Sequence, residues 1–205
     1  MLTLMNTLST ALLLTVLLIS QAGAADVTTL IKDCEGCHGN TGVSQWDDMP
    51  TIAGISAPVH RDYLLAYQEK TRPCSRSRYR QGDTSRPETD MCAIAAKLSS
   101  ADAGALADYF SGRAFVAAKQ SFDGQKAATG KNLHARDCEK CHANGGRDPA
   151  DDASILGGQH LKYLQQALAD FKARKRAQPK KMGEKLAKWT DAELDAVVHY
   201  YASLQ

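Results

Sequence analysis

Cys34-Glu35-Gly36-Cys37-His38 and Cys138-Glu139-Lys140-Cys141-His142 each set two thiols two residues apart, with an imidazole directly after the second. That spacing suits the two vinyl groups of a porphyrin. Each thiol adds across one vinyl to give a thioether, and the adjacent imidazole reaches the iron. A single Cys-x-x-Cys also reads as a zinc knuckle or a thioredoxin-like redox pair. The histidine after the second cysteine, found twice and behind an apolar leader, argues against both. The motifs predict two covalently bound haem c groups with their iron: Cys34, Cys37 and His38 at the first, Cys138, Cys141 and His142 at the second.

The sixth ligand decides whether such an iron reacts with substrate or only passes electrons. A second strong ligand closes it, and Met/His ligation raises the potential. Past the leader the chain has three methionines, Met49, Met91 and Met182. Met182 is the sole thioether of the second half, in a Lys180-Lys181-Met182-Gly183 loop. Met91 stands 18 residues before Tyr109, the same offset as Met182 before Tyr200, which prefers Met91 over Met49 in the first half. The competing readings are core-filling methionines and bis-histidine ligation through His60 or His160. His134 and His199 read as surface or core side chains.

The elements that must position these groups repeat. Cys34 and Cys138 are 104 residues apart, and the segments following them read alike. Ile52-Ala53-Gly54 with Tyr63-Leu64 answers Ile155-Leu156-Gly157 with Tyr163-Leu164. Leu98 to Asp102 leading to Tyr109-Phe110 answers Trp189 to Glu193 leading to Tyr200-Tyr201. The expectation is an all-α chain of two tandem domains, residues 26–113 and 114–205, each wrapped around one haem. Helices are expected over Val27 to Asp33 and Gly124 to Asp137, leading into the motifs, and over Tyr63 to Lys70 and His160 to Arg176. Ser99-x-x-Asp102 and Thr190-x-x-Glu193 are capping boxes that start the last helix of each half. Domains this small bury little surface, and aromatic residues make up only 6% of the chain, so the porphyrin is expected to serve as the core of each half.

Residues 1–25 read as a signal peptide: an apolar run from Leu12 to Ile19, then small residues Ala22 to Ala25. The run is short for a bilayer span, and no later segment could cross a membrane. Export with covalent haem fits the bacterial periplasm. In that oxidising compartment the leftover pair Cys74 and Cys92 argues for a disulfide beside Met91, with free or metal-binding thiols as the alternative. The formal charge of +2 is near balance, and four haem propionates would reverse its sign. Basic residues gather over Lys172 to Lys188 and in an insertion carrying Arg72, Arg76, Arg78, Arg80 and Arg86. Solvated faces are the default, and steering of an acidic redox partner the sharper idea. Nucleic acid is not expected, because the aromatic interleaving of a stacking surface is missing.

Tandem Cys-x-x-Cys-His domains, each with a methionine ahead of an [ST]-x-x-[DE] final helix, resemble the dihaem class I cytochromes c such as cytochrome c4. The second half is closer to the cytochrome subunit of flavocytochrome c sulfide dehydrogenase. The similar stretches are Ala118 to Asp123, Leu133-His134, the second motif, Ile155 to Gln159, Tyr163 to Gln165, Asp170-Phe171 and Lys180 to Met182. The first half departs from it in the Arg-rich insertion, in Cys74 and in Cys92. The resemblance implies a non-catalytic electron-transfer subunit. It would accept electrons from a separate FAD-containing flavoprotein that oxidises sulfide, and pass them to a downstream cytochrome c or an oxidase. His38 and Met91, and His142 and Met182, would be the axial pairs. The chain has no Gly-rich dinucleotide fingerprint of its own, so flavin chemistry would lie on another polypeptide. A free-standing c4-like carrier to a terminal oxidase is the alternative.

Overall fold

The computed structural model describes residues 26–151 and 153–205. The signal-peptide reading concerns residues 1–25, which lie outside these. The chain is helical: α1 Val27–His38, α2 Ala57–Gln68, α3 Met91–Ala95 and α4 Ser100–Ser111, then α5 Gly124–Asp137, α6 Ala143–Gly146, α7 Leu161–Lys172, α8 Lys180–Leu186 and α9 Asp191–Ser203. Among the described residues the only strand-like pairing is an isolated antiparallel bridge between Ser77 and Thr89.

Local chemistry explains the helix ends, and it repeats. Asp26 and Asp123 cap α1 and α5 by accepting from N–H groups of the first turn. Ser99 and Thr190 form the two expected capping boxes with Asp102 and Glu193. Helices α2 and α7 stop in the same way, each followed by a residue at φ +56°, Lys70 and Arg174. The Thr71 and Lys175 N–H groups then reach back to the Ala66 and Asp170 carbonyls, 2.9 Å in both cases. In each half the carbonyl of a turn-ending glycine, Gly42 or Gly146, accepts from two consecutive N–H groups of the segment that leads to α2 or α7.

Several expected bounds shift. Helix α1 runs through the first motif to His38 instead of ending at Asp33. The segment expected as a Tyr63 to Lys70 helix starts earlier, at Ala57, with Pro58 in its first turn. The His160 to Arg176 segment is helical only over Leu161–Lys172. Met182 lies in helix α8, not in a loop. Pro179 sets the entry conformation, and Lys, Met, Glu and Leu are good helix formers.

The first half encloses a cavity, whereas the second half has a continuous apolar cluster. There α5, α7, α8 and α9 pack on an apolar cluster of their own: Leu133, Leu164, Leu186, Trp189, Leu194, Val197, Val198 and Tyr201. Helices α5 and α9 cross closely at Gly130, where a Cβ would run into the Ala196 carbonyl and the Val197 Cα. Val197, Val198 and Ala202 are almost fully buried and extend the contact.

The halves are joined by polar bonds, those of Gln159 and His160 buried. The Gln159 amide accepts from Thr51 N and donates to Thr51 O, both at 2.9 Å. His160 Nε2 lies 3.0 Å from the Ser44 carbonyl, Tyr163 N donates to Asp47 O at 3.0 Å, and Ala177 N donates to Thr71 O at 2.9 Å. Ile55 and Val59 of the first half pack with Ile155 of the second.

Candidate haem-binding sites

The first site is a cavity of about 700 Å³ lined by α1, α2, α3 and α4 and, from the second half, by α7. Cys34, Cys37, His38, Met49, His60 and Met91 all line it. Helix α1 delivers both thiols and the imidazole on consecutive turns. His38 is buried, and its Nδ1 lies 2.9 Å from the Pro50 carbonyl. A carbonyl can only accept, so Nδ1 carries the proton and Nε2 keeps its lone pair. Burial also holds the His38 pKa below its ordinary value, which keeps the ring neutral and ready to ligate. Burial, with Asp33 and Glu35 nearby, pushes the Cys34 thiol up to about 12.

The cavity wall also supplies what the anionic rim of a porphyrin needs. Arg72 is only 7% exposed, and its Nε and Nη1 have no hydrogen-bond acceptor. Its guanidinium stacks 4.1 Å from the Tyr63 ring centroid and 4.5 Å from that of Tyr67. Arg176, from the second half, is equally buried and lies 4.2 Å over Phe171. Both arginines line the cavity, with Tyr163 beside them. Burial alone would raise the Tyr163 phenol, but Arg176 and Arg72 outweigh it and hold its pKa below the ordinary value. Buried guanidinium N–H groups without an acceptor call for an anion, and propionate carboxylates meet that need. The residues present fit haem c.

Sequence reasoning read Arg72 and Arg176 only as members of charged clusters. A signal was available: each stands four residues past the end of its Tyr-Leu helix, α2 or α7. His60 is the bis-histidine rival inside the same cavity. Its Nε2 is buried without a partner, and burial pulls its pKa down to about 4. His160 lies outside the lining of this cavity, and its Nε2 meets the Ser44 carbonyl at 3.0 Å.

The second motif is built differently. Helix α5 ends at Asp137, and the His134 carbonyl accepts from both Cys138 N and Glu139 N, a wide turn that puts the motif beyond the helix. Glu139 folds back onto the Nε2 of His134, whose Nδ1 meets the Tyr201 hydroxyl at 2.9 Å. That makes His134 a core residue, as expected. Cys138 is half-buried against the apolar cluster, its thiol pushed up to about 11 by burial, while Cys141 is exposed. Met182 packs on the same cluster as Cys138. His142 has a buried Nδ1 with no acceptor, and burial lowers its pKa. Cys138 and Met182 share one apolar wall, while Cys141 lies at the surface.

Cys74 and Cys92 form a disulfide. The Arg-rich insertion before Cys92 is largely tied down rather than open. Arg76 and Arg78 share Glu88, Arg80 forks onto Asp48 at 2.5 and 2.8 Å, and Arg86 pairs with Asp33 at 2.6 Å. In the other basic cluster Lys172 and Lys185 hold Asp191 and Asp137, both at 2.6 Å, whereas Arg174, Lys175, Lys181 and Lys188 are exposed.

Known proteins share the fold of this chain. Residues 125–200 match the family described as cytochrome c oxidase, cbb3-type, subunit III. The chain is similar to cytochrome c4 of Acidithiobacillus ferrooxidans, with 25% identity, a TM-score of 0.66, and 84% of this chain and 99% of that one covered. It is similar to reduced recombinant cytochrome c4 of Pseudomonas stutzeri, with 24% identity, a TM-score of 0.69, and coverage of 89% and 100%. Each half has the class I cytochrome c fold. Thiosulfate dehydrogenase of Marichromatium purpuratum shares the fold at 20% identity and a TM-score of 0.68, over 86% of this chain and 39% of that one. We find no match among curated proteins. The chain carries two covalently bound haem c groups and is a c4-like electron-transfer protein. No helix among the described residues is long and apolar enough to cross a membrane.

Proposed function

We propose that this chain is a periplasmic dihaem electron conduit, with His38 and Met91 as axial ligands of the first iron and His142 and Met182 of the second. Its halves are residues 26–113 and 114–205, behind a cleaved signal peptide near residue 25. The observation that carries the reading is the first cavity, which both thiols, a correctly protonated imidazole and the Met91 thioether line together. The haem supplies reversible one-electron exchange at its iron. His38 and Met91 would hold the iron, Leu106, Ala107 and Phe110 of the cavity wall would keep water from it, and Arg72 and Arg176 would neutralise propionate charge. With both iron faces closed, the chain itself is non-catalytic.

The partner reading follows the second-half resemblance: an FAD-containing, sulfide-oxidising flavoprotein donates electrons, and a downstream cytochrome c or oxidase accepts them. A free-standing carrier is the second reading, favoured by the match to cytochrome c4 over 99% and 100% of its length. Purification from the periplasm under mild conditions separates them. A stoichiometric FAD protein that reduces the haems on addition of sulfide supports the subunit reading. A monomer reduced by a quinol-oxidising complex, and by no flavoprotein of its own compartment, selects the carrier.

A further inference from the structure

The two motifs differ most in what covers them. In the first, Gly36 is buried, and Cys34, Glu35 and Cys37 are half-buried; in the second, Glu139, Lys140 and Cys141 are exposed. The cover on the first is the insertion. Arg80 N and Gln81 N both donate to the Gly36 carbonyl, at 2.7 and 3.2 Å, and the Cys37 thiol faces the Arg78 carbonyl at 3.5 Å. The Tyr79 ring, 6% exposed, fills the space above Gly36, where a Cβ would approach it to 2.7 Å.

Every edge of this segment is fastened. Arg80 forks onto Asp48 and lies over the Trp46 ring. Arg86 joins Asp33 and lies 3.9 Å over Tyr79. The Ser77–Thr89 bridge closes its base, and the Cys74–Cys92 disulfide anchors it beside Met91. Among the described residues of the second half no segment covers the motif in this way, and the path from motif histidine to methionine is 40 residues there against 53 in the first half.

We propose that residues 74–92 form a fixed strap over the thioether edge of the first haem, leaving the second motif as the face where protein partners exchange electrons. The inference rests on covalent haem at both motifs, not on which partner donates. Exchange at that face moves one electron: the partner is oxidised by one unit, ferric iron becomes ferrous, and no bond forms or breaks. Glu139 is exposed but bonded to His134, and around it the exposed charges are Lys140 and the nearby Arg136 and Arg147, which leave the face net basic. Such a face fits a one-electron redox protein with an acidic rim.

The test uses oxidised holoprotein, whose visible spectrum reports haem incorporation independently. A neutral gadolinium chelate should broaden the hyperfine-shifted methyl resonances of the second haem before those of the first, with the sets assigned by contacts to Tyr79. Tyr79→Ala should bring the first haem's broadening up to the second's; should that variant fail to fold, Arg80→Ala serves, releasing one fastening. Equal broadening in the unmodified protein, or faster broadening at the first haem, overturns the proposal. In stopped flow at low salt with reduced flavin mononucleotide, an anionic one-electron donor, Lys140→Glu should slow reduction about threefold or more, and Arg78→Glu should leave it nearly unchanged. Arg78→Glu slowing reduction as much as Lys140→Glu also overturns it.

Discussion

His38 shows how much of the chemistry is decided by a single hydrogen bond. Donation from Nδ1 to Pro50 selects the tautomer, and burial keeps the ring neutral. The opposite ligands are tested by deletion. Met91→Ala and Met182→Ala should each abolish the weak red-edge methionine–iron band of one haem and open that iron to carbon monoxide. Difference spectra would show half the haem population affected in each case. An unchanged spectrum in Met91→Ala would transfer the role to His60 or Met49, which share the cavity.

Asp137 is the residue-scale prediction for stability. Its carboxylate holds Lys185 at 2.6 Å, Arg136 at 2.7 Å and the Trp189 indole at 3.1 Å, so its pKa is drawn from 3.8 to about 2, with the Lys185 bond the largest cause. The folded state therefore binds fewer protons than the unfolded one in this window. The stabilisation is complete above about pH 4 and lost as pH falls to about 2. Asp137→Asn should cost on the order of 2 kcal/mol at neutral pH, as hydrogen bonds to a charged group are lost. It should also flatten the stability profile over that acid range in denaturant titrations.

At the scale of elements, the close crossing of α5 and α9 depends on Gly130. Gly130→Ala must push α9 away from its buried contacts at Val197 and Val198, at a cost of roughly 2–3 kcal/mol. Thermal unfolding followed by circular dichroism would show the loss, whereas Gly104→Ala, on an open helix face, should be neutral or mildly stabilising. The strap yields a second prediction. The disulfide closes a span of 18 residues, so Cys74→Ser with Cys92→Ser should lower stability by about 3 kcal/mol on loop-entropy grounds. Chemical denaturation of the double variant, compared with the parent, measures it.

For the whole molecule, the joint between the halves is polar and buried. Gln159→Ala would leave both the N–H and C=O of Thr51, a residue 1% exposed, without partners, at a cost of roughly 2–3 kcal/mol. Each half holds one tryptophan, Trp46 and Trp189. In single-tryptophan proteins the two denaturation curves should coincide for the parent and separate for Gln159→Ala. Coincident curves in the variant would mean that the apolar contact of Ile55, Val59 and Ile155 suffices to couple the halves.

Residue types and short spacings were enough to indicate the two haem attachments, the capped final helices and the pairing of Cys74 with Cys92, because each depends on neighbours within a few residues or on a compartment that leaves few choices. The twofold repeat followed from the same local patterns. What the sequence left open depends on contacts across the chain. Only the tertiary structure shows that Arg72 and Arg176, from different halves, turn inward to one cavity, or that Pro50 sets the tautomer of His38. Only packing reveals that the second half has an apolar core of its own. And only the folded insertion shows that its arginines bind Asp33, Asp48 and Glu88 instead of facing a partner: charge composition is visible along the chain, but whether a charge is paired or free is decided in space.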